Sequence, residues 1–207
     1  MSLSAILLDF NQSVAQCDSL IANAHRVDAT GNPILPAIDQ QQITVAAFLN
    51  MFMAWESFLE SSITEFMTGA ATIGGGTPIR YVAPPDIDTA RKLMIWVGKY
   101  FDYANHQNVR KVVPMYFENG YPFEPHLSAI NLDLDELRTM RNSSAHISSS
   151  TRLALEALAL RIFGQPQPGI TLYQLLTKID PRSTSGDTVY LTYKNKLAVT
   201  ASLISHG

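Results

Sequence analysis

Between Asp39 and Thr68 the large apolar residues Phe48, Phe52, Trp55, Leu59, Ile63 and Phe66 follow one another at steps of four, three, four, four and three. That is the period of an α-helix, not the alternation of a strand. Leu49, Met51, Met53, Phe58 and Met67 add apolar surface beside this stripe, so the helix must be contacted on more than one face. A long helix that cannot be left in water has to be enclosed by other elements. The spacing therefore predicts an all-α fold, a helical bundle organised around a long central helix.

The remaining segments read the same way. Leu7, Leu8, Phe10, Val14, Cys17, Leu20 and Ile21 give residues 3–25 a helical period, ended by Gly31, Pro33 and Pro36. Residues 69–85 hold three consecutive glycines and three prolines and read as a long loop, with a short extended piece around Ile79, Tyr81 and Val82. Asp86 or Asp88 caps a helix carrying Ile87, Leu93, Met94, Trp96, Val97, Tyr100 and Phe101. Pro114, Gly120 and Pro122 break residues 109–125 into loop or short strand. Asn131 or Asp133 opens a helix through Leu134, Leu137 and Met140; Ser150 or Thr151 caps another, over 153–163, that stops at Gly164. Shorter helices are expected at 172–179 and about 193–204. With 207 residues and no internal repeat, one domain spanning 1–207 is the simplest division, with 166–207 as a helical C-terminal extension.

Composition excludes several classes. An apolar share of 46% beside 16% charged residues is too apolar for disorder. No window reaches the roughly 18 apolar residues of a spanning helix, because Glu56, Glu60 and several serines interrupt the greasiest stretch. The N-terminus lacks the basic region and cleavage site of a signal peptide, and the single Cys17 makes no internal disulfide, so a cytoplasmic location away from membranes is expected. A net charge of −3 argues against coating nucleic acid by long-range attraction and leaves only a local phosphate site.

Such a site is offered by Arg141-Asn142-Ser143-Ser144-Ala145-His146. Arginine keeps its charge and presents a planar fork of donors suited to phosphate. Histidine, titrating near ~6.5 when unperturbed, can take a proton from a ribose 2′-hydroxyl or return one to a leaving oxygen. Asn142 can orient either partner, and Ser143 and Ser144 are small and polar, leaving room for a substrate. None of these roles needs a metal or a cofactor. On an ideal helix, residues five apart diverge by about 140° and lie about 7.5 Å apart along the axis. Either the helix ends or bulges between Arg141 and His146, or a second chain completes the site across a two-fold axis. The plainer alternative is two cations complementing a helix C-terminus.

The segment Leu134-Asp135-Glu136-Leu137-Arg138-Thr139-Met140-Arg141-Asn142-Ser143-Ser144-Ala145-His146 resembles the R-x4-6-H signature of the HEPN (higher eukaryotes and prokaryotes nucleotide-binding) superfamily, in its R-N-x3-H form. The upstream helix with Glu56 and Glu60, and the capped helix STRLALEALALRIF after the motif, are similar to the RiboL-PSP-HEPN and MAE-type branches. The likeness covers about residues 40–165. Ile147 stands where a glycine or an acidic residue most often follows the histidine.

The resemblance implies an all-α bundle that forms a two-fold homodimer with its motifs facing across a cleft. It also implies a metal-independent endoribonuclease leaving a 2′,3′-cyclic phosphate, in a toxin or antiviral-defence setting. RNA would be the substrate, and an antitoxin or a nucleotidyltransferase a partner. Arg141 and His146 match the active pair and Asn142 the polar residue after the arginine, with Glu56, Glu60 and Ser143 in support. Glu56 and Glu60 lie beside the apolar stripe, about 40° and 80° from Phe52, and call for a partner such as Arg141 or Arg138 in the site, or a structural ion pair. Many such folds lack activity and serve as binding modules for a protein or nucleotide, which is the alternative function.

Other patterns carry less. The Gly74-Gly75-Gly76 run lacks the lysine and spacing of a phosphate loop. His25, His106, His126 and His206 show no metal-ligand spacing and read as surface or satisfied histidines. Arg91, Lys92 and Lys99 with Tyr100 and Tyr103 have the residue types of an RNA path, but a solvated helix face is the commoner explanation of such a pattern.

Overall fold

A computed structural model describes residues 2–96, 98–145 and 148–207, with Ala145 described by its backbone alone. Among the described residues the protein is all-helical: α1 (Leu3–Ala24), α2 (Ala37–Thr68), α3 (Ile87–Ile95), α4 (His106–Tyr116), α5 (Phe123–Ala129), α6 (Asn131–Ala145), α7 (Ser149–Phe163), α8 (Leu172–Thr177) and α9 (Val189–His206). Among the described residues a 3-10 turn covers Glu118–Gly120, and the extended pairing consists of isolated bridges such as Arg80 with Phe117. No helix among the described residues is long and apolar enough to cross a membrane.

The stripe that specified α2 is buried along its whole length, since Phe48, Phe52, Trp55, Leu59, Ile63 and Phe66 are each at most 2% exposed. Met51, Phe58 and Met67 beside it are buried as well, whereas Met53 is 60% exposed, so the helix is enclosed on more than one face but not all round.

The contacts divide the chain into two compact units, and the division falls inside α2. The first unit takes Met1–Asn11, Ala54–Leu134 and Lys196–Gly207. Its core holds two aromatic clusters: Phe10 against Trp55 and Phe58, with centroids 6.1 and 5.5 Å apart, and Phe66 against Phe117 and Phe123 at 6.5 and 5.7 Å. The second unit takes Gln12–Met53 and Asp135–Asn195. Leu137, Met140, Leu155, Leu158, Ile162, Leu175 and Tyr193 are buried there, with Cys17 a small core residue on the apolar face of α1.

Helix ends follow local chemistry. Asp86 caps α3 by accepting from Thr89 N at 2.7 Å, which holds its carboxyl below the ordinary value. The helix then ends at Ile95, earlier than the apolar spacing suggests, because Trp96 takes a left-handed φ of 54° and Gly98 N bonds back to Ile95 O. Trp96 and Tyr100 are consequently exposed instead of sharing a buried helical face. The stretch 109–125, read as loop or short strand, instead begins inside α4, which runs His106–Tyr116 despite Pro114. The proline sits two residues from the helix end, where it removes one hydrogen bond and the last turn still closes through Phe117 N to Val113 O.

The cap of α7 is Ser148, not Ser150 or Thr151: its hydroxyl accepts from Thr151 N at 3.2 Å while Thr151 Oγ1 accepts from Ser148 N at 3.1 Å. At the far end Gly164 has φ 70°, the left-handed conformation that favours glycine. Ser148→Ala is expected to lower stability by about 1 kcal/mol, which for a chain of this size lowers Tm by roughly 2–4 °C in a thermal melt. An unchanged Tm would mean that the box contributes nothing.

Candidate functional site at the end of helix α6

Helix α6 forms because Leu134, Leu137 and Met140 share one buried face, at 3%, 0% and 0% exposure. Its last turns carry Arg141, Asn142, Ser143 and Ser144, all half-buried. Ser143 Oγ donates to Met140 O and Ser144 Oγ to Arg141 O, both at 2.7 Å. Such back-bonding offers the backbone carbonyls a second partner near a helix end, but it does not stop the helix here, since α6 continues through Ala145. Arg141 Nη1 reaches Asn142 Oδ1 at 3.4 Å, a long contact, and among the described residues it is the one side-chain hydrogen bond of this guanidinium. Among the described residues no carboxylate pairs with Arg141. His146 and Ile147 lie outside the described residues.

The supporting acids belong to the first unit, and Arg141 and Asn142 to the second. Glu60 accepts from Arg91 Nε at 3.0 Å, and Arg91 also reaches Asp88 at 3.7 Å. This pair is about 40% exposed and contributes at most about 1 kcal/mol. Burial, and then the charge of Glu60, push the Tyr103 hydroxyl well above its usual value, so that residue stays neutral. Glu56 is half-buried and has an interaction of its own.

No family model, curated protein or solved structure matches this chain. The functional reading rests on its own residues.

Two constellations in the second unit were not visible in the sequence. In the first, Asp180, with its side chain wholly buried, takes a two-pronged contact from Arg182 at 3.0 and 2.9 Å. Arg182 also reaches Glu136 at 3.2 Å and Tyr193 Oη at 3.1 Å, and the Tyr193 hydroxyl donates to Glu136. Burial raises the Asp180 carboxyl, but the hydrogen bonds and charge of Arg182 outweigh it and leave the group below the usual carboxylate value. Glu136 lies on α6, so this network anchors the helix that carries Arg141. In the second, His25 Nε2 lies 3.1 Å from Thr44 Oγ1 and its ring stacks parallel to Tyr173 with centroids 6.0 Å apart. Residues 46 apart in the first case and 19 apart in the second leave no local signature.

Proposed function

We propose that this chain is a metal-independent endoribonuclease of HEPN type that works as a homodimer, with His146 moving protons, Arg141 stabilising phosphate charge and Asn142 orienting the site. The supporting observation is Arg141: a half-buried guanidinium at the end of α6 with no carboxylate partner among the described residues. Removing a cation partly from water without a counter-ion is unfavourable, and an anion with planar oxygen pairs relieves it.

The chemistry is self-contained. A histidine takes the proton of the ribose 2′-hydroxyl, the 2′-oxygen bonds to phosphorus, the bond from phosphorus to the 5′-oxygen breaks, and that oxygen leaves with a proton. The products are a 2′,3′-cyclic phosphate and a 5′-hydroxyl. Charge gathers on the phosphorane oxygens in between, where an arginine fork acts. In the cell we assign it to the cytoplasm as a toxin or antiviral-defence nuclease, held in check by an antitoxin or nucleotidyltransferase partner.

The test is incubation of the purified protein with end-labelled RNA in the presence of a metal chelator. Fragments ending in cyclic phosphate are expected. Intact RNA at high protein concentration sinks the nuclease reading and leaves a helical module that binds a protein or nucleotide.

A further inference from the structure

Arg138 lies three residues before Arg141 and four before Asn142, so on α6 the three are neighbours on one side of the helix, with Cβ atoms about 5–6 Å apart. All three are half-buried. Among the described residues Arg138, like Arg141, pairs with no carboxylate: Asp135, one turn before it, has an interaction of its own, and Glu136 is held by Tyr193, Arg182 and Arg161. Asn142 Oδ1 accepts from Arg141, which leaves the amide nitrogen as a donor with no protein acceptor among the described residues. From Leu137 to Leu155 the chain carries three arginines and no acid, in a protein whose net charge is −3.

Two such arginines side by side are unfavourable for the protein alone. Like charges three residues apart on a helix repel, and partial burial removes water that would screen them. The helix dipole does not account for the pair, because its field acts within the last turn, Asn142–Ala145, and Arg138 stands nearly two turns from the end. Packing of the arginine stem on apolar neighbours explains the half-burial but leaves the guanidinium without a counter-charge. A phosphodiester carries one negative charge, and its pair of oxygens fits one guanidinium fork. Two forks therefore call for two phosphates, since a single one leaves a cation uncompensated.

We propose that α6 holds two consecutive phosphates of one RNA strand: Arg141 and Asn142 grip the scissile phosphate, and Arg138, a positioning residue, grips its neighbour. Which phosphate is the scissile one rests on the nuclease reading; the two-phosphate site itself does not. The smallest ligand that fills the site is a trinucleotide with two linkages, and a dinucleotide fills half of it.

The probe is a 2′-O-methyl uridine trinucleotide, which has no 2′-hydroxyl to attack and stays intact, titrated by calorimetry into the full chain. It should bind saturably, about tenfold more tightly than the same trinucleotide with either linkage made an uncharged methylphosphonate. This comparison needs no variant. Arg138→Met keeps an unbranched apolar stem and removes the fork, so the folded variant should bind the trinucleotide about tenfold more weakly. In it either methylphosphonate should cost less than about twofold, because the remaining phosphate moves onto Arg141. On a longer 2′-O-methyl strand the slope of log K against log salt should flatten by about 0.7 in the variant, the change for one lost phosphate contact. Pyrophosphate, two phosphates without a strand, should bind more weakly than the trinucleotide. Trinucleotide binding as expected beside intact ordinary RNA keeps the site and sinks the nuclease reading. Cleavage of ordinary RNA with a KM that Arg138→Met leaves unchanged does the reverse. No saturable binding, indifference of the unaltered protein to both methylphosphonates, tighter binding of pyrophosphate, or unaltered affinity in folded Arg138→Met overturns the proposal.

Discussion

His146→Ala is expected to slow RNA cleavage by about 10²–10⁴-fold, the usual contribution of a positioned acid or base, and Arg141→Ala by about 10²–10³-fold, the usual loss of one group that stabilises developing charge. Arg141→Lys should recover little, because a single ammonium does not reproduce a fork that contacts two phosphate oxygens. Arg141 sits on regular helix, since α6 is described through Ala145, and His146 lies outside the described residues. A helix continued unbroken sends side chains five residues apart about 140° from each other. The proposed dimer answers that offset by letting the arginine of one copy work with the histidine of the other. Mixing the Arg141→Ala and His146→Ala proteins should restore cleavage above either variant alone, since a mixed dimer holds one intact pairing. If both variants cleave like the unaltered protein while remaining folded, Arg141 and His146 are not catalytic. If each is dead and the mixture stays dead, the site is not shared across the two-fold.

What the sequence showed and what it hid follow from the range of the interactions involved. The α2 stripe was legible because burial along one helix leaves a period of 3.6 in consecutive residues, and all six of its large side chains proved buried. Asp86 and Gly164 were legible because a cap acts within four residues of itself. Pro114 misled because its effect depends on where in the helix it falls: two residues from the end of α4 it removes a hydrogen bond that the last turn can spare. Trp96 misled in the opposite sense, since its spacing fits a helical face and its backbone does not. At the candidate site the residue types of the Arg141 run could be read, and so could its awkward offset. The anchoring of α6 could not, because Glu136 meets Arg182 and Tyr193 only through the tertiary fold. The partner of Glu60 was equally hidden: Arg91 looks like any solvated helical cation until the fold sets it 3.0 Å from the carboxylate.

That anchoring network makes the second large prediction. Arg182→Ala is expected to lower stability at pH 7 by about 3–5 kcal/mol, because it strands the Asp180 carboxylate at 0% exposure without its cation. For a chain of this length that lowers Tm on the order of 10 °C. The loss comes from the stranded carboxylate and not from attraction to the guanidinium, which is 37% exposed and partly screened by water. The dependence on pH has a definite sign. In the unaltered protein the Asp180 carboxyl is held below its ordinary 3.8, so its contribution is complete above that pH and is lost as pH falls through the lower folded value. In the variant, burial without Arg182 pushes the same group up, and protonation relieves it. The gap between the two proteins should therefore narrow as pH is lowered from 7 towards 4. Adding Asp180→Asn to Arg182→Ala should restore most of the lost stability, since the buried charge is gone and Glu136 keeps the Tyr193 hydroxyl and Arg161, 3.7 Å away. Equal melting temperatures for the unaltered protein and Arg182→Ala at pH 7 would show that water reaches Asp180 and that the pair does not hold α6 in place.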